Sequence, residues 1–315
     1  MSEARAGVDE TLRSSVVLAI ASFRSDEAVL EILASVHSDG DHPFRSIVIV
    51  DSLSSGRIGD VIAEREYPRV EYRVFDKNIG AAGNLLERLR YAAEDGAQYV
   101  YALNHDAAVD VNAVRALVRF ALERPRIGAV YPARRYIRKG GAIDTAGARR
   151  DVMGTLFARA RDVGSGPLPV HWSSSNGALY ALEPFRRGVV PWEGLFHGYE
   201  DLDFGWSLES HGYEQYILRN VVVADDYEYR RYALGPVGFY ASEKPAWYAY
   251  YQARNLVLVA RRHGRGGFGV AGRLAIEVGL VTLVRHEKSK RLSFLARGLF
   301  DAARGRLGKW TFPRE

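Results

Sequence analysis

Glu200, Asp201 and Asp203 stand within four residues in the run Gly198-Tyr199-Glu200-Asp201-Leu202-Asp203-Phe204-Gly205-Trp206. A carboxylate that points into a cleft can take a proton from a hydroxyl, and this run offers three candidates. The same acidic triplet would also stabilise a helix start, because the helix dipole favours negative charge there. A second cluster, Asn104-His105-Asp106, ends the apolar run Tyr99–Leu103. Asp106 offers an oxygen ligand to a hard divalent cation beside a diphosphate, and Asn104 can orient water or a ribose hydroxyl. A helix cap accounts for Asp106 equally well, and His105 reads as a solvent-facing or packing residue. Asp51 follows SIVIV and precedes SLSSG, where its carboxylate can accept hydrogen bonds from a base or ribose, or simply close a turn. In Asp76–Asn84 (DKNIGAAGN), Gly80 and Gly83 sit at the mouth of a helical pattern, where bare backbone N–H groups can approach a diphosphate. No GxGxxG follows the first apolar run, so this is not a dinucleotide-binding fingerprint.

The elements that must position these groups are legible in the hydrophobic pattern. Ser15–Ile20, Ser46–Asp51, Val70–Phe75 and Tyr99–Leu103 are continuous apolar or β-branched runs. Between them lie helical spacings at Val29, Ile32, Leu33 and Val36 and over Ala81–Ala93, and a helix over Val111–Leu122 follows with Asp110 as its N-cap. Strand alternating with helix predicts an α/β fold, a Rossmann-like, mostly parallel sheet with helices on both faces. Such a sheet binds ligands beyond the carboxyl ends of its strands, and the polar clusters at Ser22-Phe23-Arg24, Asp51-Ser52, Asp76–Gly80 and Asn104–Asp106 all fall there. From about Ile127 to Tyr232, Gly, aromatic and charged residues crowd together, and helical spacing returns at Trp247–Val259. The resulting division is a flexible N-terminus over 1–14, a catalytic domain over 15–247 and a basic helical C-terminal extension over 248–315.

The chain has 315 residues, no cysteine and a net charge of +5. Disulfide and thiolate chemistry are therefore excluded. Neither Leu256–Ala260 nor Val278–Val284 reaches the roughly 20 apolar residues of a membrane span. The polar start MSEARAGVDETLRSS has no apolar core of a secretion signal, which predicts a cytoplasmic protein. The charge is uneven, and the extension carries a run of Lys and Arg from Arg261 through Arg291 to Lys309. Its apolar positions Leu274, Ile276, Val278, Leu280, Val281, Leu283 and Val284 precede Arg285, Lys288, Lys290 and Arg291, a combination that suits peripheral contact with the inner membrane leaflet. Packing on the catalytic domain or on a second subunit fits the same residues. No nucleic acid is expected as a partner.

In order along the chain, these segments resemble glycosyltransferase family 2, especially its rhamnosyltransferase-like and galactofuranosyltransferase-like branch. IVIVDSLSSG is similar to the family's "iivVDNxSxDG", DKNIGAAGN to "xxNxGxAGGxN", LNHDAAVD to "lNpDxxv" and HGYEDLDFGWSLESHGY to "yxEDxDlxxRlxxxGy". Ser22-Phe23 stands where the family has Thr-Tyr, and Tyr250-Tyr251-Gln252-Ala253-Arg254-Asn255 resembles its "yYxxRN" element. The resemblance, from about Val16 to Leu258, implies a GT-A fold and an inverting transfer from a nucleotide-sugar donor, with rhamnose on dTDP or galactofuranose on UDP leading, to a saccharide or lipid-linked acceptor of cell-surface polysaccharide synthesis. It further implies that Asp201 is the general base, that Ser22, Asp51, Asn78, Gly83, Asn104 and Asp106 bind the donor, and that Mg²⁺ or Mn²⁺ is held by Asp106, with Asp225 as a second candidate ligand. Glu200, Trp172 and Tyr199 are expected to meet the acceptor, and Trp192 can join them. Three departures stand out: Arg24 replaces a frequent Asn, Asn104 replaces the first Asp of a DxD, and Asp225 stands where a late His often helps bind metal. Two other functions fit parts of the pattern, a degenerate sugar-binding homologue and a sugar nucleotidyltransferase. The latter lacks its basic Gly-rich signature in Ala21–Val29.

Overall fold

The computed structural model describes residues 2–38, 40–136, 142–144, 166–225, 229–234, 237–242, 244–265 and 267–310. Strands β1 (Val16–Ser22), β2 (Ser46–Ser52), β3 (Val70–Phe75) and β4 (Tyr99–Asn104) run parallel in the order β3-β2-β1-β4. The sheet continues through β8 (Ala178–Ala181), β5 (Ile127–Tyr136), β9 (Glu214–Asp225) and β7 (Leu168–Pro169), with β6 (Ala142–Asp144) paired to β5. β8 is antiparallel to both neighbours and β7 to β9, so the sheet is mixed beyond β4.

Alternation along β1 shows why three layers form. Val16, Leu18 and Ile20 face a core shared with α2 (Asp26–Val36) and α5 (Val111–Leu122), whereas Val17 and Ala19 face one shared with α4 (Gly80–Glu94) and α7 (Glu200–Ser210). Each fully buried Val or Leu contributes roughly 1.5–3 kcal/mol relative to exposure, and two such faces need helices on both sides. Asp110 caps α5 as its position predicts, its Oδ1 accepting from Asn112 N at 2.9 Å and Ala113 N at 3.2 Å. The smaller elements α3 (Arg57–Arg65), α6 (Glu183–Arg186) and the hairpin β10 (Tyr229–Leu234) with β11 (Val237–Ser242) complete this part.

Two expectations change. The segment read as a flexible N-terminus forms α1 (Ser2–Ser15), which buries Val8 and Leu12 against the α5 side of the sheet because those positions fall on one helical face. The C-terminal stretch folds as α8 (Tyr248–Arg262), α9 (Gly267–Leu283) and α10 (Lys288–Ala303), and it is not merely appended. Leu256 and Val259 of α8 share a core with Leu202 and Trp206 of α7. No helix among the described residues is long and apolar enough to cross a membrane.

Candidate active site

In the order β3-β2-β1-β4, the chain leaves β1 in one direction toward β2 and β3 and returns on its other side as β4, which creates a topological switch point beside β1. A cleft of about 720 Å³ opens there, lined by Arg24 and Ser25 after β1, Leu53, Ser54 and Ser55 after β2, and His105 after β4. This volume lies within the range of small-molecule sites. His105, read from sequence as a bystander, thus faces the cleft.

Behind the cleft, Ser22 and Asp51 are register partners on neighbouring strands, and both are buried. Asp51 Oδ2 accepts the Tyr72 hydroxyl at 2.6 Å, while its Oδ1 and the Ser22 Oγ are buried with no hydrogen-bond partner. Burial and the adjacent Asp51 push the Tyr72 phenol far up, so this hydroxyl stays a donor. Asp51 is therefore held from one side by Tyr72, and its second oxygen is left without a partner within the protein.

The α4 N-terminus is also committed. Asn78 Oδ1 accepts from Gly80 N at 2.8 Å, and Ala82 N donates to Phe196 O at 3.1 Å. Gly80, at φ +75°, leaves room for that contact, because a Cβ there would lie 2.2 Å from Phe196 O. Gly83 is buried beneath Ile79 and presents no bare backbone to the cleft. What α4 does send under the strand ends is Asn84, whose Nδ2 donates to Val50 O at 2.8 Å, and Arg88 one turn later, which donates to Leu103 O at 3.2 Å.

The two acidic clusters meet through a loop that sequence reasoning passed over. Asn176 Oδ1 accepts from Asn104 N at 3.0 Å, and its Nδ2 donates to Asp106 Oδ1 at 3.2 Å. The preceding Ser175 lies beside Asp201, where its hydroxyl and backbone N–H favour the carboxylate anion. Segments 70 residues apart on one side and 26 on the other are thereby brought together. The run Ser173-Ser174-Ser175-Asn176-Gly177, small and polar with an Asn-Gly turn, was the available signal.

Glu200 and Asp201 open α7, and each keeps part of its surface accessible while Glu200 Oε2 and Asp201 Oδ1 are buried without a partner. Burial and the neighbouring Asp201 push Glu200 up to about 8. Asp201 is also raised by burial, but Ser175 and the positive charges of Arg134 and Arg88 oppose the shift. Arg88 is itself 2 % exposed, and burial pulls it down to about 10. Burial thus raises both carboxyls, and only Asp201 has neighbours that favour its anion, so of the two Asp201 gives up its proton more readily. Asp203, the third carboxylate, is taken up by structure: it is fully buried on His263 Nε2 at 2.9 Å and Arg262 Nη1 at 3.3 Å.

The turn that presents α7 is strained, with Phe196 (φ +63°), Gly198 (φ +85°) and Tyr199 (φ +70°) all on the left-handed side. Buried Arg254 and Asn255 of α8 brace it. Asn255 Nδ2 donates to the carbonyls of Leu195, His197 and Gly198 at 2.8–3.0 Å, and Arg254 Nη2 donates to Leu195 O at 2.7 Å. The expected acceptor aromatics are packed against the protein. Tyr199 packs against Leu256, Arg273 and Glu277, in a joint with about 10 Å³ of free volume. Trp172 wedges onto α7 where Gly205 has no Cβ, and Trp192 lies under Arg262.

Asp106 is exposed, and its one described hydrogen bond comes from Asn176. That leaves carboxylate surface for a hard cation, which typically takes one or two protein carboxylates and fills the rest of its shell with phosphate oxygens and water. Among the described residues no three His, Asp or Glu side chains gather as a metal cluster, and the side chain of Asp225, the last residue of β9, lies outside the described residues.

Comparison with known proteins shows the family and the fold. The family model "Glycosyl transferase family 2" matches residues 17–173. S. aureus TarS 1-349 in complex with UDP-GlcNAc is similar in fold at 12% identity and TM-score 0.58, over 91% of this chain and 81% of that one. Mannosyltransferase PcManGT from Pyrobaculum calidifontis, in complex with GDP-Man and Mn²⁺, is similar at 17% identity and TM-score 0.53, over 98% and 86%. No curated protein sequence matches the chain. Through the domain that spans residues 17–173, with β1 to β4 and the Asn104–Asp106 cluster at its centre, the chain belongs to glycosyl transferase family 2 and carries the GT-A fold.

Proposed function

We propose that the chain transfers a sugar, rhamnose or galactofuranose, from a dTDP- or UDP-linked donor to a saccharide or lipid-linked acceptor, with inversion at the anomeric carbon. The observation that supports this reading is the run Ser175-Asn176, in which Asn176 donates to Asp106 and Ser175 neighbours the candidate base Asp201. Two proteins of similar fold hold a nucleoside-diphosphate sugar, UDP-GlcNAc in one and GDP-Man in the other, which supports a donor of that class here.

In the proposed step, the acceptor hydroxyl gives its proton to the Asp201 carboxylate while its oxygen bonds to the anomeric carbon. The bond from that carbon to the diphosphate breaks on the opposite face, and its electron pair leaves with the nucleoside diphosphate. Protonated Glu200 donates a hydrogen bond to the acceptor, and Arg88 and Arg134 favour the Asp201 anion before the proton arrives. Asn176 fixes Asp106 on the donor side. A Mg²⁺ or Mn²⁺ ion on Asp106 would neutralise charge on the departing diphosphate.

Turnover of a panel of nucleotide sugars, with the product's anomeric configuration read by NMR, tests the reading. Asp201→Asn should lower transfer by roughly 10²–10⁴-fold while donor affinity stays unchanged, because a base acts on the transition state. Near-wild-type turnover of that variant moves the base to Glu200, and absence of any sugar transfer or donor hydrolysis by the wild type returns the degenerate reading.

A further inference from the structure

Between residues 261 and 310 the chain carries twelve Lys and Arg against three Asp and Glu. That surplus of nine exceeds the +5 of the whole chain, so the rest of the protein is net negative. Two of the three acids are spent internally. Glu277 is buried and pairs with Arg273 at 3.7 Å, and Asp301 is buried on Tyr250, Arg297 and Arg306.

The helix at the centre of this region, α9, has two unlike faces. Its inner face places Leu274 and Val281 against Ala249, Ala253 and Leu295 of α8 and α10. On the outer face Phe268 is 97% exposed, Ile276 57%, Val278 42% and Leu283 66%, with Ala271, Gly272, Ala275 and Thr282 exposed among them. Arg273 and Glu277 are its only charged residues, and both belong to the inner side. An uncharged face of this kind runs the length of a 17-residue helix, about 26 Å at 1.5 Å per residue. Scattered apolar residues on a surface need no partner, but a continuous, charge-free face does.

We infer that the outer face of α9 seats on an anionic lipid surface, lying in the plane of the headgroups with Phe268, Ile276 and Leu283 among the acyl chains. Charge complementarity selects this occupant over a second copy of the chain. Arg285, Lys288 and Lys290 follow the apolar face directly, and a homodimer across it would set two strongly cationic tails against each other, whereas anionic headgroups attract both ends of the helix. The sequence pattern had placed Leu274, Leu280, Val281 and Val284 on this face. In the structure Val281 is buried, Leu274, Leu280 and Val284 are partly buried, and Phe268 takes the lead. The inner face of the same helix packs on Tyr199, which immediately precedes Glu200 and Asp201. Lipid binding therefore holds the α7 N-terminus about one helix diameter, roughly 10 Å, from the membrane, where, on the proposed function, a lipid-linked acceptor would be met.

The test uses the full chain and vesicles of phosphatidylcholine with or without phosphatidylglycerol. Co-sedimentation should appear with phosphatidylglycerol, fall as salt is raised, and weaken by roughly tenfold or more in Phe268→Asp/Leu283→Asp, whose melting temperature should match the wild type because both positions are exposed. Because the chain has no cysteine, Ile276→Cys can carry an environment-sensitive dye. Its emission should rise several-fold on anionic vesicles, while the same dye on Glu64→Cys of α3 should not respond. Full-length protein that stays in the supernatant at low salt, or a dye at position 276 that stays wet, overturns the inference. A dimer in solution that Phe268→Asp/Leu283→Asp dissolves, without vesicle binding, overturns it in favour of a second copy. None of these readouts depends on sugar transfer, so they stand apart from the catalytic assignment.

Discussion

Adjacent carboxylates in a poorly solvated place cannot both ionise cheaply, and Glu200 and Asp201 resolve this by dividing the work. Asp201 has Ser175, Arg134 and Arg88 to favour its anion; Glu200 has burial and a negative neighbour. A carboxyl raised from 4.5 to about 8 keeps its proton in the folded protein across that window, while the unfolded chain has already released it. Folding stability therefore falls as pH rises from about 4.5 to about 8. Glu200→Gln removes the effect, so its melting temperature should gain on the wild type between pH 5 and pH 8, and a constant difference across that range would contradict the assignment. At the other carboxylate of the site, Asp106→Ala should weaken nucleoside diphosphate binding only when Mg²⁺ or Mn²⁺ is present, as calorimetry with and without EDTA can read. Full transfer activity in excess EDTA would refute metal dependence outright.

Among the elements, α8 does the most to hold the site without touching a reactant. The turn ahead of α7 includes two non-glycine residues with positive φ, each costing about 1–3 kcal/mol, and Asn255 opposes that cost with three hydrogen bonds to its carbonyls. Asn255→Ala should destabilise the protein by about 2–4 kcal/mol, from three lost bonds and the carbonyls they leave buried. It should also lower kcat by at least roughly tenfold with little change in donor KM, since a base displaced by about 1 Å loses its alignment. Unchanged kcat in a folded variant would show that the turn keeps its shape without the brace.

At the scale of the molecule, the end of the described chain closes back on the same turn. Gly308 N donates to Gly194 O at 2.7 Å, Arg254 Nη1 donates to Gly308 O at 2.7 Å, and Trp310 stacks on Tyr250 with centroids 4.7 Å apart. Truncation after Ala303 removes no residue of the proposed site, yet it leaves Arg254 and the carbonyl of Gly194 without these partners. We expect a lower melting temperature and reduced turnover together; a truncated protein with wild-type values for both would show that the closure is incidental.

The amino-acid sequence by itself determined the parallel half of the sheet, β1 to β4, and its chemistry-bearing edge. Continuous apolar runs can be satisfied only between helices, so the first four strands follow from the run lengths, and Asp110 caps α5 at the residue where the pattern places it. Order along the chain also sufficed for the family, because DKNIGAAGN, LNHDAAVD and HGYEDLDFGW keep their relation to strand ends whatever surrounds them. Tertiary structure alone decided the partners those residues meet within the protein. Asp51 looks open after its strand, but Tyr72 from the adjacent strand claims it; Gly80 looks like a phosphate cradle, but Phe196 fills the place. The Ser175-Asn176 run, the buried charge of Arg88 and the Asn255 brace depend on segments 26 to 113 residues from the carboxylates they serve. Hydrogen bonds and desolvation at that separation leave no periodicity to read, because they are set by how the layers pack rather than by neighbours in the chain.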